Sequence, residues 1–106
     1  MIEVQRAVEA MALLEALLKK REAKFQPDAK PIQFDFGTET WNFDPQRSGT
    51  HCERRPNSAA ALTVHCTPAT LGRLLLQPSP YLLPGEELKL MGDASALTSL
   101  IQALGP

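Results

Sequence analysis

Residues 58–77, "SAAALTVHCTPATLGRLLLQ", change their period half-way, and the reading of the whole chain turns on that change. Up to Thr67 the period is two: Ala60, Leu62, Val64 and Cys66 share one side of a strand, with Thr63, His65 and Thr67 on the other. Thr67-Pro68 then gives a helix start, an N-cap threonine followed by proline at the first helical position. The helix "PATLGRLLLQ", 68–77, turns Leu71, Leu74 and Leu75 inward. A strand running directly into a helix asks both to bury one apolar face in a common core.

Downstream, "PSPYLLPGE" reads as an irregular apolar loop with room for one helical turn, and "ELKLMGD" as a strand with Leu88 and Leu90 on one face. Gly92-Asp93 turns the chain into a last helix, "ASALTSLIQALG". Its stripe is Leu97, Leu100, Ile101 and Leu104, and Gly105 stops it.

Upstream, residues 2–24 read as one amphipathic helix with Val4, Val8, Met11, Leu14 and Leu18 on its apolar stripe, widened by Ala7 and Leu17. Glu15 and Lys19 make a four-residue charge pair on the polar side. The run "KKREAK" places positive charge where the helix dipole favours it; with no aromatic interleaved, it reads as a solvated helix end rather than a phosphate patch. "FQPDAKP" breaks the helix. "PIQFDFG" and "TWNFDP" then alternate, with Ile32, Phe34, Phe36, Trp41 and Phe43 apolar, and form a hairpin across a glycine-containing turn. "THCERR" is a weaker, more polar strand. The order helix, three or four strands, helix, strand, helix implies an α+β domain, residues 1–106, with helices packed on a mainly antiparallel sheet spanning 31–104.

The chain has 106 residues, 43% hydrophobic and 22% charged, which suits one modest core. Eleven basic against twelve acidic side chains give a net charge of −1, so no global field favours nucleic acid. The acidic and basic residues that interrupt the N-terminal apolar run speak against a secretory signal, and no stretch approaches a membrane span. A cytoplasmic protein without stable membrane insertion is the expectation.

Both histidines and both cysteines occur as His51-Cys52 and His65-Cys66. Neighbours on a strand face opposite ways, so one face collects at most two of these four groups, short of a four-ligand zinc site. A Cys52–Cys66 disulfide would need adjacent strands and an oxidising compartment. There is no nucleotide-binding glycine motif and no recognisable nucleophile–base constellation. No catalytic residue, metal or cofactor is expected.

"AAALTVHCTPATLGRLLLQ" followed by "PGEELKLMGDASALTSLIQAL" resembles the sterol carrier protein type-2 family, whose pattern joins a threonine-and-aliphatic strand, a helix, a G-x-L-K-[LI]-x-G-[DN] segment and a final alanine- and leucine-rich helix. The matching residues are Leu62-Thr63-Val64, the helix 68–77, Gly85, Leu88-Lys89-Leu90 and Gly92-Asp93. "GTETWNFDPQRSG" is similar to the family's tight hairpin. The sequence departs from the pattern at Ala59 to Ala61, where an acidic residue is common, and at Gln77, where a glycine is common.

The resemblance implies a five-stranded sheet in the order 3-2-1-4-5, covered by helices over an apolar tunnel, and a non-catalytic lipid-binding or carrier function for an acyl chain, sterol or isoprenoid. Strands three and four are then not neighbours, so the repeated His-Cys is coincidence. The walls would be Phe34, Phe36, Trp41, Phe43, Leu62, Leu74 and Leu88, with Leu97, Ile101 and Leu104 as cover. A filled core would instead make the chain an accessory domain that meets a protein partner or a second copy of itself, helping a lipid- or quinone-pathway enzyme.

Overall fold

The period-two runs pair into one sheet. The computed structural model describes residues 5–47, 49–77 and 81–104. Its elements are α1 (Ala7–Lys20), β1 (Ile32–Asp35), β2 (Thr40–Phe43), β3 (Cys52–Glu53), β4 (Leu62–Cys66), α2 (Pro68–Leu76), β5 (Leu88–Gly92) and α3 (Ser95–Leu104). The class is α+β, and the strand order is β3-β2-β1-β4-β5. Three of the pairings are antiparallel, but β1 and β4 run parallel, so the sheet is mixed. The cause is the link between β3 and β4. Both strands point the same way, so residues 54–61 must return along the sheet before β4 begins.

That return segment lies on the polar face. Asn57 donates from its side chain to Asn42 Oδ1 (2.9 Å) and from its backbone to Gln33 Oε1 (2.6 Å), while Gln33 Nε2 donates to Thr63 Oγ1 (3.3 Å). Asn42 is buried and would be costly there without this partner. Register sets the other face. Ile32 lies beside Phe43 and Leu62, Phe34 beside Trp41 and Val64, Phe43 beside Cys52, and Cys66 beside Leu88. This apolar face joins the buried side chains of all three helices in one core.

Helix α1 is shorter than its periodicity predicts. Glu9 Oε1 accepts the Arg6 backbone N–H (2.9 Å), which starts the helix at Ala7, and Glu22 ends it in a left-handed conformation, φ 49°. Val4 lies outside the described residues. Val8 is exposed, while Met11, Leu14, Leu18 and Ala7 are buried as expected and Ala10 joins them. At the other end of the chain, Thr67 Oγ1 accepts the Thr70 N–H (3.1 Å) and caps α2 as the sequence implies. Gly105 lies outside the described residues. So do Pro78 and Pro80, and no helical turn forms over 81–87.

Glu15 is not paired with Lys19. Its Oε1 accepts the backbone N–H groups of His51 (2.6 Å) and Cys52 (2.7 Å), tying α1 to the edge strand β3. Edge strands expose unpaired donors, and this carboxylate occupies two of them. Glu15→Ala is expected to lower stability by about 1–3 kcal/mol, because it strips the acceptor from two part-buried donors. Urea unfolding of the variant checks this.

Candidate functional site

Of the ten residues expected to line or cover a tunnel, Phe34, Phe36, Phe43, Leu62 and Leu104 are buried in the core. Phe34 and Phe36 stack with centroids 6.3 Å apart. Trp41, Leu88 and Leu97 are partly buried and pack against that core, and Leu74 is half-buried. Ile101 is 51% exposed, so it stands outside the core rather than over it. The apolar face is tightly covered at β1 and opens toward β5: Val64 is buried, while its register partner Leu90 is 39% exposed. Helix α3 shows the same gradient, because Ala96, Leu100 and Leu104 turn inward and leave Leu97 and Ile101 at the side.

A cleft lies elsewhere, between the 24–30 connector and α3. It has a volume of about 460 Å³. Lys24, Gln26, Asp28 and Lys30 form one lip; Asp93, Ser95, Ser99 and Gln102 form the other; Phe25, Ala29, Ala96 and Ala103 supply apolar surface. A small void of about 10 Å³ beside it shares Phe25, Ala29 and Ala96 with the cleft and is also bounded by Ile32, Phe43 and Leu100.

The connector is held in place from two sides. Phe25 meets Phe43 edge-to-face, with centroids 5.7 Å apart, and Gln46 Nε2 donates to the carbonyls of Gln26 (2.9 Å) and Ala29 (3.0 Å). On the opposite lip, Asp93 accepts the backbone N–H (3.0 Å) and hydroxyl (2.5 Å) of Ser95, which hold its carboxyl below the ordinary range, with Lys30 adding to the effect. None of the ten expected wall residues lines the cleft, and Phe43 alone of them bounds the void. The cleft residues carry one signal in sequence: Ser95, Ala96, Ser99, Gln102 and Ala103 fall on one face of α3, a polar and small-residue stripe beside the leucine stripe.

The His-Cys pairs do not converge. Cys52 on β3 and Cys66 on β4 are separated by β2 and β1, and both are free and buried. Burial, with the Asp35 carboxylate adding, pushes the Cys66 thiol up to about 12. Burial first and the Glu15 carboxylate second push Cys52 upward as well. An activated cysteine needs the opposite shift. His65 Nδ1 sits 3.2 Å from Asp35 Oδ2 across the parallel pair, and among the described residues no cluster of three or more His, Cys, Asp or Glu forms a metal-binding group.

A second surface feature is the loop after α2. Arg73 grips Glu86 through two bonds of 2.6 Å, and Glu86 Oε1 also accepts the Leu83 N–H (2.7 Å). Arg73 and that N–H hold the Glu86 carboxyl below its ordinary value of 4.5, and the clamp presents Tyr81, Leu82 and Leu83 to solvent. Because the folded value is depressed, the clamp's contribution is complete above pH 4.5 and is lost as pH falls through the lower folded value. The Leu83 amide is therefore expected to lose hydrogen-exchange protection on acidification before the β1 amides do.

No described helix is long and apolar enough to cross a membrane. Compared with known proteins, the sequence matches no family model and no curated protein.

Proposed function

We propose that this chain is a non-catalytic, sterol-carrier-like lipid-binding or carrier domain, taking an apolar chain at the layer between its sheet and helices. The observation that carries the reading is the cleft beside α3, polar at its mouth, which shares Phe25 and Ala96 with a small void bounded by Ile32, Phe43 and Leu100. The cleft's volume of about 460 Å³ lies within the range of roughly 300–1,000 Å³ common for small-molecule pockets. The strand order β3-β2-β1-β4-β5, which the family resemblance implies, supports it further. Each methylene removed from water contributes ~0.8 kcal/mol before the ordering costs of association, so affinity needs few polar contacts.

Titration with a naturally fluorescent polyene fatty acid tests this reading. Saturable one-to-one enhancement, reversed by unlabelled fatty acid or a prenol, is expected. Emission that rises without saturation, or not at all, contradicts it.

The second reading, an accessory domain that docks on a protein, is favoured by a different feature: Leu76, Tyr81, Leu82 and Leu83 are exposed beside the Arg73–Glu86 clamp. If the fatty acid fails to bind, that reading takes precedence.

A further inference from the structure

We propose that β5 is a self-association edge: two copies of the chain pair their β5 strands antiparallel about a two-fold axis through Leu88, and the two five-stranded sheets become continuous. The proposal is independent of the lipid-binding reading. β5 closes one side of the sheet and is exposed from Lys89 to Gly92, with Leu90 at 39% and Met91 at 52%. The Asp93 N–H bonds the Ala61 carbonyl (2.8 Å), and bonding alternates along an antiparallel pair. Met91 and Lys89 therefore turn their backbone groups toward β4, while Leu90 and Leu88 turn theirs outward. Among the described residues nothing bonds those outward groups. An open strand edge is a template for another strand. The opposite edge is closed to this use, because β3 is two residues long and Glu15 takes the His51 and Cys52 N–H groups. β5 has five residues, no proline and, among the described residues, no such cap.

The occupant follows from charge. Glu87 and Lys89 flank Leu88, both exposed, and neither has an ion-pair partner within 4.0 Å among the described residues. A strand with opposite charges on either side of one residue is its own complement in an antiparallel pair. With the axis through Leu88, Glu87 of each copy stands opposite Lys89 of the other, which makes two cross-strand ion pairs. Moving the axis to Lys89 sets the two ammonium groups against each other. Moving it to Leu90 sets Lys89 against Met91 and matches no charge. In the Leu88 register the two Leu88 residues exchange N–H and carbonyl bonds, and each Leu90 N–H meets the Glu86 carbonyl of the other copy. Leu88 and Leu90 lie on the helix side of the sheet, beside Cys66 and Val64, so the leucines of both copies form one apolar row. An unrelated peptide would use the same backbone groups but leave both charges unmatched.

Sedimentation equilibrium of the full chain at low salt, from micromolar to millimolar concentration, tests this. A reversible dimer with a Kd of about 10–100 µM is expected, as suits an interface at the small end of the size range. Glu87→Lys and Lys89→Glu should each weaken it about tenfold, because either change sets two like-charge pairs across the axis. Glu87→Lys/Lys89→Glu exchanges the signs and should restore the wild-type value within about threefold. Hydrogen exchange should show protection of the Leu90 N–H rising with protein concentration more steeply than that of Met91, which already faces β4 in the monomer.

All three variants change only exposed side chains, so their thermal melts should match the wild type. A chain that stays monomeric at millimolar concentration overturns the proposal. So does a dimer that the single reversals leave intact, or one that they weaken and the double reversal fails to restore. A dimer whose Leu90 amide gains no protection with concentration places the contact on another face, such as Leu76 with Tyr81, Leu82 and Leu83, and overturns it too.

Discussion

Phe34→Ala is expected to destabilise the fold by about 3–5 kcal/mol, the cost of deleting a buried phenylalanine from a packed core. Phe34 is fully buried, sits on the central strand β1, and has Trp41 and Val64 as its register neighbours. Its ring stacks on Phe36, so truncation empties space bounded by several large side chains. The size of the effect distinguishes a filled layer from a wall. If Phe34 faced an open tunnel, its ring would already lack partners on one side, and the loss would fall toward ~1 kcal/mol. Urea unfolding followed by the fluorescence of Trp41, the chain's single tryptophan, reads the difference. A loss in the upper range is expected if the layer against β1 is filled, which leaves no room for a ligand there.

Gly92→Ala carries the second large effect. Gly92 has φ +117°, and a Cβ added there would run into the Ala61 carbonyl oxygen and stand 3.2 Å from Leu62 Cα. Both neighbours are backbone of the β4 side, so neither can swing aside. A strained conformation and an overpacked contact each cost roughly 1–3 kcal/mol, and together about 2–6 kcal/mol is expected. Relief would come from lifting the end of β5 away from β4. That motion would also disturb the Asp93 N–H bond to the same Ala61 oxygen (2.8 Å), which aims the chain into α3. Fatty-acid binding should therefore weaken together with stability. Gly85 supplies the control: it also has positive φ, 85°, but a Cβ added there would meet nothing within 4 Å, so Gly85→Ala should cost only about 1 kcal/mol. Parallel thermal melts of the two variants check the contrast.

Much of the architecture is legible in local sequence because local rules carry it. Thr67-Pro68 fixes the start of α2, and the alternation of Ile32, Phe34, Trp41 and Phe43 fixes the buried face of the hairpin. What local rules do not carry is the relation between distant segments. The parallel pairing of β1 with β4 depends on a return segment whose anchor is Asn57 against Asn42 and Gln33, and no periodicity announces it. Glu15 reads as half of a helix charge pair until β3 supplies two backbone donors, a contact 36 and 37 residues away.

The site was less legible than the fold. On α3 the inward face is Ala96, Leu100 and Leu104, and Ile101 is left outside. A stripe drawn from leucine and isoleucine alone misses that rotation. The cleft is assembled from a connector that reads simply as a helix break and from the polar flank of a helix at the far end of the chain. Neither half signals a site alone.

The most direct test of the central claim is native mass spectrometry of the purified protein, followed by solvent extraction and by incubation with oleate and a prenol. A stoichiometric adduct of one lipid per chain is expected, released by solvent, either carried through purification or formed on incubation. A mass that stays at that of the bare chain after both incubations would contradict it.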